Sequence, residues 1–257
     1  MTLPRFLNPA HLRTPAPLLA LSAALLLGAC GGDEPEATSP APAAKNAYEA
    51  KAAETPPPLT LEVPSGLYRV DLNHADLSFR VKHLGLAEYV ARFEDYSLEL
   101  NLNAENIGQS TVTLEIDPMS VSTGYVGDYK ATHEDSEFES WEEDLAKSPR
   151  FFHAGEHPSI RFDSTSVEPH GDHLMVRGDL TMRGETHPVA MHVYVTGQTA
   201  SHPFTGAGAI GVRAKGDFQR SPFGIDFLVD KGLLGDEVKV AFYGELLQQP
   251  PGDDAGA

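Results

Sequence analysis

Apolar residues fall at every second position in one short run after another between about Leu67 and Gln248. Leu77, Phe79 and Val81 alternate with Ser78, Arg80 and Lys82. Leu98, Leu100 and Leu102 alternate with Glu99 and Asn101, and Val112, Leu114 and Ile116 with Thr113 and Glu115. The same rhythm returns at Ile160 and Phe162, at Leu174 to Met182, from Val189 to Val195, at Ile210 and Val212, and from Val238 to Phe242. A strand turns successive side chains to opposite faces, so period two with one apolar face predicts half-buried β-strands. Turn formers separate the runs: Asn103 to Gly108, Glu168 to Asp172, and Arg183-Gly184. About eight strands joined mostly by short loops predict an all-β fold, an eight-stranded antiparallel barrel whose closure removes sticky sheet edges. A barrel in water turns its apolar alternates inward, which places Phe79, Val81, Leu98, Leu100, Phe162 and Val193 inside. Core filling explains any one of them better than ligand contact does, although such an interior is just wide enough either to be filled or to hold one small guest. His83 continues the inward face of Leu77, Phe79 and Val81 at a strand end. There it can donate to a polar head group or bond a backbone carbonyl.

One segment breaks the rhythm. "DYKATHEDSEFESWEEDLAKSPRFF", Asp128 to Phe152, has no alternation, several helix formers and a stop at Pro149. Phe138, Trp141 and Leu145 stand three and four apart, which predicts one helical face and a short helical insertion across a barrel mouth.

The N-terminus reads as export rather than fold. Arg5, His11 and Arg13 precede the apolar "PAPLLALSAALLLGAC". About a dozen apolar residues fall short of the roughly twenty that a permanent spanning helix needs, so residues 1–29 read as a signal peptide. Leu27-Gly28-Ala29-Cys30 resembles the lipobox of bacterial lipoproteins, in which the Cys is lipidated and begins the mature chain. Cys30 is the only Cys, so no intramolecular disulfide competes for it. Acyl chains add about 0.8 kcal/mol per buried CH₂. The same resemblance implies that Gly31, standing where an Asp would favour inner-membrane retention, leans toward the outer membrane and the periplasmic side of the envelope. Residues 30–65 are rich in Ala, Pro, Glu, Thr and Ser and read as a disordered tether. Residues 66–248 form the barrel domain and 249–257 a loose tail. Losing Arg5 and Arg13 moves the net charge from −18 to about −20. That surface repels nucleic acid and anionic lipid, which leaves the acylated Cys30 as the membrane attachment.

Four stretches together resemble the YceI family, in its order and over nearly all of Gly66 to Leu247. They are "YRVDLNHADLSFRVKHLGLAEYVARF" (Tyr68 to Phe93), "FFHAGEHPSIRFDSTSV" (Phe151 to Val167), "LTMRGETHPVAMHV" (Leu180 to Val193) and "RSPFGIDFLVDKGLLGDEVKV" (Arg220 to Val240). The resemblance implies a lipocalin-like barrel, mostly periplasmic, that binds a polyisoprenoid or related amphiphile inside. The block beginning at Arg220 brings in Arg220, whose guanidinium suits a phosphate or carbonyl head group or a salt bridge to a carboxylate, and Phe223 beside it. The chain departs from the pattern at Ala91-Arg92, where a Gly often precedes the Phe, and in the longer, acidic stretch around Ser140 to Asp144.

Chemistry beyond binding finds little support in the sequence. No Gly-x-Ser-x-Gly elbow, no thiol nucleophile in the mature domain and no phosphate-cradling glycine loop occurs, so no catalytic residue is assigned. Of eleven His, His170 and His173 flank a hairpin turn. His153 and His157 stand four apart, but Gly155 and Pro158 argue against a helix there, so no metal site is expected. Asp71 and His74 are expected to share a structural hydrogen bond. No cofactor is expected beyond a bound isoprenoid-type lipid, with a quinone among the candidates. Two rival readings stand beside carriage. One is an enzyme using His83 and nearby carboxylates, the other an envelope-stress interaction module using the acidic insert. A homodimer is compatible with any of the three.

Overall fold

The computed structural model describes residues 59–251. Ten strand segments run in chain order: β1 (Gly66–His83), β2 (Ala87–Phe93), β3 (Tyr96–Leu102), β4 (Thr111–Ile116), β5 (Val121–Ser122), β6 (Ile160–His170), β7 (His173–Met182), β8 (Glu185–Thr199), β9 (Ala209–Gln219) and β10 (Leu234–Gln248). All pairings are antiparallel, and β10 returns to β1 to close the sheet. Ten segments make eight walls because two walls are broken. β2 and β3 both lie along the same side of β1, separated only by Glu94 and Asp95. β4 and β5 lie along β3 and β2 in turn, separated by a 3₁₀ turn at Pro118–Ser120. The structure is thus an eight-stranded antiparallel barrel with two kinked walls and little helix.

Local irregularities keep the apolar face inward along strands too long to hold one phase. The register of β1 against β10 shifts between Val70 and Ala75. In that stretch Asp71 Oδ1 accepts from the backbone N–H of Asn73 at 3.0 Å, and Asp71 Oδ2 stands 2.8 Å from His74 Nδ1. This is the expected structural bond, and it makes a bulge that puts both Tyr68 and Leu77 in the core. A second shift in β6, between Ser164 and Ser166, does the same for Phe162 and Val167. The β7–β8 turn has positive φ at both Arg183 (53°) and Gly184 (78°), the geometry of a two-residue type I′ hairpin.

The outer face carries ion pairs: Arg69 with Glu99, Arg161 with Asp163, Lys239 with Glu88. A wall facing hydrocarbon would carry an apolar band at these positions instead. Among the described residues no helix is long and apolar enough to cross a membrane.

Two expectations about boundaries need correction. Residues 59–65, assigned to the tether, pack on the barrel: Val63 is buried, Leu59 and Leu61 lie against the core, and Pro64 O accepts from Tyr68 Oη at 2.6 Å. Burying Val63 outweighs a proline-rich composition that looked unable to fold. The signal peptide, Cys30, the remainder of the tether and residues 252–257 lie outside the described residues. The insertion forms two short helices, α1 (Tyr129–Thr132) and α2 (Trp141–Lys147). Phe138 lies before the N-cap Ser140, outside the helical face it was expected to share with Trp141 and Leu145. Ser140 Oγ accepts from the Glu143 N–H at 3.1 Å, so helix begins only after it.

Candidate ligand cavity

The barrel encloses a cavity of about 880 Å³, within the range of roughly 300–1,000 Å³ typical of small-molecule sites. Phe79, Val81, Leu98, Leu100, Phe162 and Val193 all line it, as does His83. The lining comes from every wall and is almost wholly aliphatic and aromatic. Phe79, Phe93 and Phe152 form a cluster with ring centroids 5.4–5.9 Å apart. Phe162 owes its place to a missing side chain on the neighbouring wall. A Cβ on Gly178 would stand 2.4 Å from its ring and 2.5 Å from Asp163 O.

The polar groups gather at the end where β1 finishes. This end is formed by the 84–86 turn, the insertion from 123 to 159, the Arg183-Gly184 turn and the loop from 220 to 233. His83, Tyr89, Tyr125, His133, Trp141 and Arg150 border the cavity there. The Tyr89 hydroxyl is buried without a hydrogen-bond partner, and burial pushes its phenol up. Arg150 is paired with Asp144, whose carboxylate is fully buried and also accepts from Tyr129 Oη at 2.8 Å. Its guanidinium stands 4.8 Å from the ring centroid of Phe227. Sequence reading missed Arg150 and Tyr89, since nothing in their spacing separates them from surface residues. The acidic stretch from Ser140 to Asp144 is not a free surface either. It holds a helix cap, a cavity-lining Trp141 and the buried partner of Arg150.

Arg220 borders the cavity, but its donors are engaged elsewhere. Nε donates to Gly235 O (2.8 Å), Nη1 to Ile225 O (2.9 Å) and Nη2 to Phe227 O (2.9 Å). It is 4% exposed, and burial pushes its guanidinium down from the ordinary value against the opposing pull of the nearby Asp236 and Asp226 carboxylates, while its direct partners are backbone carbonyls. The side chain organises the 220–233 loop, in place of the head-group or salt-bridge role expected of it. Phe223 does not line the cavity: it is 1% exposed and packs on His187 and Phe218. A residue inside a 3₁₀ turn has no strand alternation to aim it at the lumen.

The two charged side chains in the lining, Arg150 and Arg220, are thus both occupied, and the lining contains no carboxylate. Several apolar side chains surround the opening instead. Leu84 (46% exposed) and Leu233 border it, and Leu84 N–H donates to Leu233 O at 2.8 Å; Leu86, two residues after Leu84, and Val126, next to the cavity-lining Tyr125, are exposed.

Comparison with known proteins fits this architecture. The YceI-like domain model matches residues 68–246. The chain belongs to the YceI-like family. Protein YceI of Escherichia coli O6:H1 is 30% identical over 184 residues, covering 71% of this chain and 87% of that protein. The crystal structure of Burkholderia cenocepacia BcnA superposes with a TM-score of 0.55 at 21% identity, covering 70% of this chain and 99% of that one. The Campylobacter jejuni YCEI protein gives 0.54 at 19%, over 66% and 90%. This YceI-like barrel therefore shares its fold with solved structures of low sequence identity, and its cavity is a feature of its own lining residues.

Proposed function

We propose that this protein binds one neutral amphiphile, of the polyisoprenoid or quinone class, in its lumen and carries or sequesters it. The observation that carries the reading is a large cavity with an apolar body, a polar mouth and lining guanidiniums whose donors are already engaged. Each CH₂ moved from water into such a lining contributes about 0.8 kcal/mol, so an isoprenoid tail has enough apolar surface to offset its ordering cost. Tyr89, His83 and His133 supply donors and acceptors for a small polar head. A phosphate-bearing head is disfavoured, because both lining guanidiniums are already engaged. The apolar rim at Leu84, Leu86, Val126 and Leu233 favours exchange with a lipid surface.

On this reading the chain works on the periplasmic side of a bacterial envelope, held to the outer membrane by acyl groups on Cys30. Native mass spectrometry of the full chain, with solvent extraction of the folded protein, tests the reading. A single co-purifying prenyl lipid, recovered unchanged after incubation, is the expected result. Val193→Trp, which grows into the lumen, should lower its occupancy several-fold while the barrel stays folded. A wild-type chain that purifies empty and takes up no prenyl lipid or quinone would refute the proposal. Chemical conversion of the bound lipid would move the assignment to an enzyme.

A further inference from the structure

Outside the lumen, one turn of the insertion gathers ligands of a different kind. His153, Glu156 and His157 each offer one ligand atom, and all three lie within 4.8 Å of one another. His153 Nδ1 is 3.7 Å from Glu156 Oε2, and the two imidazole centroids are 5.8 Å apart. No helix brings them together. A tight turn does, with the N–H groups of Glu156 and His157 both donating to His153 O at 3.0 Å. The turn is fastened to α2: Phe152 N–H donates to Leu145 O (3.0 Å) and Ala154 N–H to Ala146 O (2.8 Å).

His153 adopts a left-handed backbone, φ 53°. That conformation is uncommon for a residue with a side chain, and such outliers concentrate at ligand clamps. His157 lies over the Arg183-Gly184 hairpin, its Cε1 3.6 Å from where a Gly184 Cβ would be. Arg183, the cation on that hairpin, turns Nη1 to Phe151 O and Gly224 O, at 2.9 and 3.0 Å.

We propose that His153, Glu156 and His157 bind a divalent transition-metal ion of the zinc class, with water completing its coordination. Two imidazoles and one carboxylate are a donor set that zinc takes with an open position. Bonds of 2.0–2.2 Å to tetrahedral zinc separate ligand atoms by roughly 3.4 Å. The His153–Glu156 distance is near that value already, and Glu156, with its side chain 71% exposed, is free to adjust. The site stands apart from the lumen and does not depend on what the lumen holds.

The test uses the full chain stripped of metal with chelator and titrated with Co²⁺ and Zn²⁺. One equivalent of Co²⁺ should bind with the visible bands of a low-coordinate nitrogen–oxygen site, and Zn²⁺ should displace it. His153→Asn keeps a residue that tolerates the left-handed backbone, and His157→Gln keeps a polar ring-sized neighbour for the hairpin. Each should weaken Zn²⁺ binding by about tenfold or more, since even outer-shell losses register on that scale. Glu156→Gln, at an exposed side chain, should shift the Co²⁺ bands without changing the thermal midpoint of the metal-free protein. It keeps the test decisive if a histidine variant fails to fold. Uptake unchanged in all three variants, uptake lost only in His173→Gln at the far end of the barrel, or equal uptake of Mg²⁺ would overturn the proposal.

Discussion

Tyr68 and Tyr96 show how differently two buried phenols can be served. Tyr68 Oη donates to Pro64 O, whereas Tyr96 Oη is buried with no partner. Removing the hydroxyl of Tyr68 leaves an acceptor short, so Tyr68→Phe should cost about 1 kcal/mol. Tyr96→Phe removes an unsatisfied group and should be neutral or stabilise by up to ~1 kcal/mol; urea titration of both variants checks the contrast. Burial pushes each phenol up to about 12. The folded chain therefore holds these protons more tightly than the unfolded chain, whose tyrosines titrate near pH ~10. The stability so contributed is complete below about pH 10 and is lost as pH rises through about 12. The urea midpoint should fall across that window, and less steeply in the doubly substituted Phe variant. Gly178→Ala belongs to the same scale: its Cβ would collide with both the Phe162 ring and a backbone carbonyl. A cost of roughly 2 kcal/mol by urea titration is expected.

At the scale of elements, the mouth is assembled from segments with little regular structure, and single side chains hold them. Arg220 gathers the carbonyls of Ile225, Phe227 and Gly235. A lysine has the charge but not the planar fork, so Arg220→Lys should behave much like Arg220→Ala. Both should lose roughly 2–4 kcal/mol in a denaturant titration, because buried carbonyls are left without donors. Asp144 plays the matching part in the insertion, between Arg150 and Tyr129. Deleting Ser140 to Asp144 would therefore damage the cavity mouth, and cannot separate partner capture from ligand binding. A gentler probe is the rim. Leu86→Glu alters an 86% exposed side chain, so it should leave stability within about 0.5 kcal/mol while slowing lipid transfer to vesicles in a fluorescence assay.

For the whole molecule, the closed ring and the segment before it act together. Val63 and Pro64 cover the end of the barrel opposite the mouth, against Tyr68. A chain beginning at residue 59 is the reference for testing that segment by denaturant titration. One beginning at residue 66 should be less stable by roughly 2–3 kcal/mol, having lost an apolar side chain and a hydrogen bond.

Much of this was legible in advance, for a local reason. The alternation at Leu77 to Val81, Leu98 to Leu102 and Val189 to Val195 is a direct projection of the pleat, so the facing of these residues follows from spacing alone, whereas a cavity behind them was implied only by the family resemblance. What spacing could not carry was anything off the strands. Phe223 and Arg220 sit in a loop where no periodicity aims a side chain. The bulge at Asp71 to His74 changes phase through a side-chain bond. His153 and His157 meet through a turn that a helical template excludes. The sequence by itself determined an antiparallel barrel with an apolar inside, because each residue's facing depends only on its neighbours along the strand. Only the tertiary structure decided that the inside is hollow, that its guanidiniums are already bonded and where its mouth lies, because those depend on distances between residues far apart in the chain.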